Sequence, residues 1–257
     1  MASEVVAGIN DYALVAADDT IIEVYGYQKQ GAGLGYSGVR GLNALLATVT
    51  TKTAAPMIIG QRLRKGAARL VADALATVAL LRSPGAQGFV LLRADSAFYG
   101  HATVSAVITA GAQVSITVRM APAVKKAIAT IPDNAWKTIE YTDAIFDQAT
   151  GRWVSNAEVA EVPFTAFTSR KKTDHVAGRL VVRRIPGLNK KHVEHPTLFD
   201  AHRFHAFFTT SNLDIVTADK THRGHAILEQ VTADLKNSAL VHLLVCLPPT
   251  PPDWYWR

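Results

Sequence analysis

The stretch LLRADSAFYG, residues 91 to 100, places a charged residue directly after a run typical of a buried strand. Residues 89 to 92 are apolar, and Asp95 comes just before a segment that continues as a helix. An aspartate here can cap that helix, since Asp is favoured at N-caps. It can also be a metal ligand, since open α/β sheets place their chemistry at the carboxyl ends of their strands. The fragment alone favours the cap, and the rest of the chain bears on the choice.

The composition is that of a globular protein with an excess of positive charge. The chain has 257 residues, 49% of them hydrophobic, which is enough for a substantial core. Its net charge of +6 weakly favours an anionic partner such as nucleic acid. The single cysteine, Cys246, excludes an internal disulfide framework and a cysteine-based zinc finger. Without a membrane-length apolar run or a signal-peptide pattern, the sequence predicts a soluble cytoplasmic protein that does not bind membranes.

The basic excess is concentrated between residues 170 and 195. This segment has eight Lys or Arg against Asp174 and Glu194, so its net charge equals that of the whole chain. Such a run is as consistent with a solvated charged face as with a surface that contacts a phosphate backbone. The candidate DNA contacts in it are Lys171, Lys172, Arg183, Arg184, Lys190 and Lys191.

The first half of the chain predicts a mixed sheet with helices packed on it. The predicted strands are residues 12–17, 21–27, 42–50, 56–63, 89–94 and 114–120, and the predicted helices are 66–81, 101–112 and 121–131. The glycine-rich stretch at 31–38 lacks the order of a nucleotide-binding loop, so it predicts a turn.

The second half predicts a change of architecture. Residues 132–216 alternate apolar and polar side chains between turn signals, which indicates antiparallel strands. Residues 219–237 have the period of one helix, and the proline-rich tail cannot continue it. The predicted domains are the first part of a core (10–131), a β-rich insertion subdomain (132–216), a core helix (217–242) and the tail (243–257).

Three acidic residues occupy related positions in this scheme. Asp18 ends the first predicted strand, Asp95 follows a later one, and Glu229 lies on the last helix beside an apolar face. A helix packed on the sheet by that face could bring Glu229 towards the strand ends. Carboxylates suit Mg²⁺ or Mn²⁺, and two such ions can clamp the attacking and leaving oxygens of a phosphoryl displacement.

With these residues in place, the chain resembles the DDE transposases of bacterial insertion sequences, in the IS-four superfamily and closest to the insertion sequence 1380 group. The resemblance is carried by DDTIIEVYGYQKQGAGLGYSGVRGLNALLAT (18–48), LLRADSAFY (91–99) and HRGHAILEQVTADLK (222–236). It implies an α/β fold, an RNase H-like mixed-sheet catalytic core with an inserted β-rich subdomain before the glutamate helix.

The resemblance also implies a chemistry. Asp18, Asp95 and Glu229 would hold two Mg²⁺ (or Mn²⁺) ions, with Asp19 open as the alternative to Asp18. The implied reaction is phosphodiester hydrolysis at transposon ends followed by strand transfer. The implied partners are the inverted-repeat ends, the target DNA and a second copy of the chain in a synaptic complex.

Further DNA contacts follow from the family signature around the glutamate. Lys236 stands seven residues after Glu229, where the signature has lysine, and would contact the DNA backbone. The signature has tyrosine and arginine at the positions of His222 and His225. The candidate phosphate contacts in this segment are therefore His225 and the neighbouring Arg223.

The chain departs from the family in its length. Family members have an end-binding region before the first catalytic strand and a helical continuation where residues 245–257 here read VCLPPTPPDWYWR. We therefore expect a truncated, frameshifted copy. The alternatives to an active catalytic domain are a catalytically inactive DNA-binding remnant and a general nuclease on the same core.

Overall fold

The computed structural model describes residues 8, 10–24, 32–35, 38–65, 88–147, 152–186, 202–224 and 227–237. Within these ranges, the description excludes the side chains of residues 63–65, 141–147, 152–156, 186, 227–229, 235 and 236. The chain divides into two compact units, which are taken separately below. The first unit is Met1–Gln113 with Gly224–Arg257, and the second is Val114–Arg223.

The first unit is built on a mixed sheet. Its strands are β1 (Tyr12–Glu23), β2 (Gly33–Leu34), β3 (Arg40–Thr50), β4 (Met57–Lys65) and β5 (Phe89–Ala94). β1 pairs antiparallel with β3, β3 pairs antiparallel with both β2 and β4, and β1 pairs parallel with β5. The strands around β1 are rich in buried aliphatic residues on both faces, as expected for a sheet that is covered on both sides.

The second unit is an antiparallel sheet with helices. Its strands are β6 (Gln113–Thr117), β7 (Lys137–Asp147), β8 (Arg152–Ala166), β9 (Val176–Pro186) and β10 (His202–Thr209), in the order β6-β10-β9-β8-β7. The helices of the two units, in chain order, are α1 (His101–Thr109), α2 (Pro122–Ile128), α3 (Ile215–Arg223) and α4 (Ile227–Lys236). None of the described helices is long and apolar enough to cross a membrane.

Helix α3 packs on the strands of the second unit. Its Ala218 packs with Val181 of β9 and Phe207 of β10. Its Ile215 packs with Ala157 and Val159 of β8, among other apolar residues. The apolar side of the helix therefore lies on these strands.

The prediction that the first strand ends at Asp18 is wrong. β1 runs without interruption from Tyr12 to Glu23, and it pairs with β3 as far as Glu23 and Gly41. The Asp-Asp-Thr sequence is a local turn signal, but the cross-strand partners override it. Asp18 therefore lies inside a strand, at the point where the parallel partner β5 ends.

The other predicted elements have mixed outcomes. β5 and the strands at 42–50 and 56–63 are confirmed to within two residues. The helix predicted over 101–112 ends at Thr109, where Gly111 adopts a left-handed φ of 76° and turns the chain into β6. The predicted single helix over 219–237 is described as two segments, α3 and α4. The predicted helix at 66–81 and the tail lie outside the described residues.

The predicted domain boundaries stay a prediction. Residues 132–216 lie within the second unit, which itself begins at Val114 and ends at Arg223. The described strands in that range are antiparallel, in keeping with the alternation in the sequence.

Candidate active site

The pairing of β1 with β5 brings two of the three predicted acids together. In this parallel register, Ala16 lies beside Arg93 and Ala17 beside Ala94. Asp18 and Asp95 are the next residues on each chain. Because neighbouring strands are about 4.8 Å apart, the two aspartates follow the last paired residues at adjacent positions.

The two aspartates also lie on the same face of the sheet. Tyr12 and Phe89 are register partners, and their rings stack at 5.3 Å with an interplanar angle of 4°, so their side chains share a face. Asp18 and Asp95 each follow these aromatics by six residues, an even number that returns to the same face. Asp95 itself is extended (φ −77°, ψ −177°), so the alternation holds through it.

Asp95 also has the capping role that its position suggested. Its Oδ1 accepts a hydrogen bond from the backbone N–H of Ala97 at 2.9 Å, at the start of a short 3₁₀ turn over Ser96–Phe98. An ionised carboxylate has about four acceptor sites, so one capping bond leaves the group chemically able to bind a cation. The cap fixes the orientation of the carboxylate, and the two roles are compatible.

The geometry distinguishes Asp18 from its neighbour Asp19. Alternation along β1 puts Asp19 on the opposite face, where its Oδ2 accepts from Nδ2 of the buried Asn43 at 2.5 Å. Asp18 accepts from the backbone N–H of Asp19 at 2.8 Å. Asp18, not Asp19, therefore shares a face with Asp95.

Helix α4 packs on the face that carries these aspartates. Val231 of α4 contacts Ala16 and Leu46. Ala16 precedes Asp18 by two residues, and Leu46 is the register partner of Asp18 on β3. Glu229 belongs to α4, but its side chain lies outside the described residues, so its approach to the aspartates stays a prediction.

The donors present on this face suit a hard divalent cation. Two carboxylates at adjacent strand positions offer the oxygen ligands that Mg²⁺ and Mn²⁺ prefer. Among the side chains that the structure describes, no group of three or more His, Cys, Asp or Glu is placed to hold a metal ion. The third ligand of the predicted set, Glu229, is not among those side chains.

Arg93 is a residue of this face that the sequence analysis missed. It is only 2% exposed, and burial lowers the pKa of its guanidinium to about 10, with Tyr12 acting in the opposite direction. Gly224, just before α4, lies so close that a Cβ there would stand 2.8 Å from Nη1 of Arg93. The sequence signal that could have identified Arg93 is its position after the apolar residues of LLRAD, since a buried strand rarely contains a charged residue.

Three of the predicted phosphate contacts are engaged with carboxylates of the second unit. Arg223 donates from Nε to Asp219 at 2.8 Å, and Arg183 reaches the same carboxylate at 3.5 Å. Arg184 is buried, donates to Glu158 at 2.6 Å and stacks over an indole ring at 4.3 Å. Of the three arginines, Arg184 is the weakest candidate for a DNA phosphate contact, because its side chain is the least accessible.

Lys171 and Lys172 are exposed in the turn between β8 and β9. The turn begins at Phe167, which has a left-handed φ of 63°, and the N–H of Arg170 donates to the carbonyl of Phe167 at 2.9 Å. Lys190, Lys191 and His225 lie outside the described residues, as does the side chain of Lys236.

His222 lies in α3. Its ring stacks on Phe207 at 4.0 Å and 8°, and its two nitrogens lie within hydrogen-bonding distance of Ser115 Oγ (2.8 Å) and Thr117 Oγ1 (3.1 Å). His222 thus joins α3 to the sheet of its own unit.

The chain is a mixed α/β protein with two aspartates at adjacent positions on one face of its sheet. No protein-family model matches it, and no curated protein matches it. A solved structure that resembles it is the piggyBac transposase in a cryo-EM synaptic complex with hairpin DNA, at 12% identity and a TM-score of 0.44. The similarity covers 86% of this chain and 40% of that one. A likeness this remote does not determine an activity.

Proposed function

We propose that this chain is the catalytic domain of a DNA transposase of the DDE type, with an RNase H-like core and an inserted β-rich subdomain. The observation that carries the proposal is the register of β1 and β5, in which Ala17 lies beside Ala94, the residues just before Asp18 and Asp95. The packing of α4 on the same face supports the placement of Glu229 in the set.

In this proposal, Asp18, Asp95 and Glu229 hold two Mg²⁺ or Mn²⁺ ions. Such ions, when bound, polarise the scissile phosphate and activate the attacking water or 3′-hydroxyl. The protein's own contribution is orientation: the hydrogen bond from the N–H of Ala97 fixes the carboxylate of Asp95, and pairing with β3 fixes the backbone of Asp18. Groups held in this way need little reorganisation during the reaction.

The proposed partners are transposon-end DNA and target DNA, bound by two copies of the chain in a synaptic complex. Lys171 and Lys172 are exposed, and each can neutralise a backbone phosphate. Lys236, on the helix that carries Glu229, is a further proposed contact.

The test is a cleavage and strand-transfer assay in Mg²⁺ or Mn²⁺, on plasmid DNA that carries the inverted repeats flanking the gene. Asp95→Asn is the main variant because asparagine can still cap the 3₁₀ turn but has no charge. We expect it, and likewise Asp18→Asn, to lower the cleavage rate by about a hundredfold or more. Asp19→Asn is the matched control, and it should retain cleavage because Asp19 lies on the other face.

Three outcomes would count against the proposal. Cleavage by Asp95→Asn at the wild-type rate would remove Asp95 from the site. DNA binding by the wild type that persists in EDTA, with no cleavage in either metal, would favour the catalytically inactive DNA-binding protein instead. Cleavage of arbitrary DNA without strand transfer would indicate a general nuclease.

A further inference from the structure

A group of basic side chains on the second unit combines two residues already predicted as DNA contacts, Arg183 and Arg223, with three that the sequence analysis did not include, Arg203, His205 and Lys220. In the antiparallel register of β9 and β10, His205 lies opposite Arg183, so the two side chains share a face. Arg203 precedes His205 by two residues and lies on that face as well. Arg203 and His205 are both exposed.

The buried carboxylate of Asp219 links this strand face to helix α3. Asp219 is 2% exposed and forms ion pairs with Arg183 of β9 (3.5 Å) and with Arg223 of its own helix (2.8 Å). Two guanidinium groups on one carboxylate leave a net positive charge. The shared carboxylate also restricts both arginine side chains before any ligand arrives.

The last turn of α3 adds to the positive charge. Lys220 is exposed and stands three residues before Arg223, so the two are neighbours on the helix surface. The sheet and the helix together present one group, which we call the Arg203 cluster. Its members are Arg183, Arg203, His205, Lys220 and Arg223.

His205 stands near two arginine side chains of this group. The pKa of its ring lies below the usual value, first because the protein partly shields the ring from water, and then because Arg183 and Arg203 stand near it. Asp219 acts in the opposite direction but does not reverse the shift. Partial burial and the two neighbouring guanidinium groups thus both disfavour the protonated ring.

We propose that the Arg203 cluster binds the phosphate backbone of DNA. The planar guanidinium group of arginine can donate two parallel hydrogen bonds to one phosphate. The ion pairs with Asp219 already restrict the side chains of Arg183 and Arg223, so these two lose less conformational entropy when they bind a ligand. The choice of DNA among polyanions rests on the proposed function, whereas the anion-binding property follows from the cluster itself.

The test measures the binding of duplex DNA by fluorescence anisotropy in EDTA, over a series of salt concentrations. The variant is Arg203→Gln, and the matched control is Lys126→Gln, which removes an exposed charge of α2 in the same unit. We expect Arg203→Gln to reduce the slope of log K against log salt by about one, and Lys126→Gln to leave it unchanged. Arg203→Lys, which keeps the charge, should retain most of the slope and guards against a loss of folding.

Equal slopes for Arg203→Gln and wild type would overturn the proposal, as would the same reduction in Lys126→Gln. Competition by poly-glutamate as effective as that by DNA would show a general acidic partner and would also overturn it. Because the assay contains EDTA, the absence of cleavage in the earlier experiment would not affect this result. The two proposals can thus fail independently.

Discussion

At the scale of single residues, the same side-chain type has different consequences according to its surroundings. Asp95 is partly exposed, and its Oδ1 accepts a hydrogen bond from the backbone N–H of Ala97 at the start of a 3₁₀ turn. Asp19 is one residue away from Asp18, yet it is committed to a buried asparagine on the opposite face. Asp219 is buried and satisfied by two arginines, so its charge contributes to structure.

The burial of Asp219 leads to a prediction about stability. Asp219→Ala should lower the free energy of unfolding by about 3 kcal/mol, because it leaves two guanidinium groups without the carboxylate that they share. Asp174→Ala is the matched control, since Asp174 forms an exposed pair with Arg170 at 3.9 Å. That change should cost no more than about 0.5 kcal/mol. Urea denaturation of the two variants checks both values, and similar losses would contradict the assignment.

At the scale of elements, the ends of strands and helices decide where charges lie. β1 continues through Asp18 because β3 pairs with it on one side, while β5 ends on the other. Helix α3 begins at Ile215, four residues before the predicted start, because Asp214 caps it. The Oδ1 of Asp214 accepts from the backbone N–H groups of Val216 and Thr217, both at 3.1 Å.

This cap predicts a dependence of stability on pH. Hydrogen bonds from Thr217 and Val216 lower the pKa of Asp214 from its usual 3.8, the side-chain bond from Thr217 having the largest effect. A depressed folded-state pKa means that the stabilisation is present above the unfolded pKa and is lost as the pH falls through the folded value. Asp214→Ala should therefore be less stable than wild type near neutral pH, and the difference should shrink in acid. Asp214→Asn, which can cap without a charge, should lack this acid dependence.

Denaturant unfolding of wild type and both variants across the acid range measures the effect. A difference between wild type and Asp214→Ala that is equal at neutral and at strongly acidic pH would contradict the cap assignment.

At the scale of the whole molecule, the charge of +6 is divided between structural and accessible groups. Arg183, Arg184 and Arg223 use part of their charge on carboxylates within the second unit. Lys171 and Lys172 lie exposed in a turn of the same unit. The basic segment at 170–195 is therefore not a uniform surface, and only part of its charge is available to a polyanion.

The accessible charges predict the salt dependence of DNA binding. The double variant Lys171→Gln/Lys172→Gln should reduce the slope of log K against log salt by about two, which corresponds to two lost phosphate contacts. The double variant Lys125→Gln/Lys126→Gln removes two exposed lysines of α2 and should leave the slope near that of wild type. If both doubles reduce the slope equally, the effect comes from net charge and not from a defined contact surface.

The sequence by itself determined the local elements and the residue types of the candidate site. The apolar run at 89–94 predicted β5 at its observed bounds because four aliphatic or aromatic residues in succession leave little alternative to a buried strand. Alternation predicted the antiparallel strands of the second unit for a similar local reason. Asp18 and Asp95 could be selected from sequence because each stands at or near the end of an apolar run.

Only the tertiary structure decided which groups meet. The register of β1 on β5 separated Asp18 from Asp19, and pairing with β3 carried β1 through a sequence that is locally a turn signal. The partner of Arg183 is 36 residues away in the chain, so no local pattern could show that its charge is already engaged. Propensity acts over a few neighbouring residues, whereas register and ion pairing depend on groups that come together only when the chain has folded.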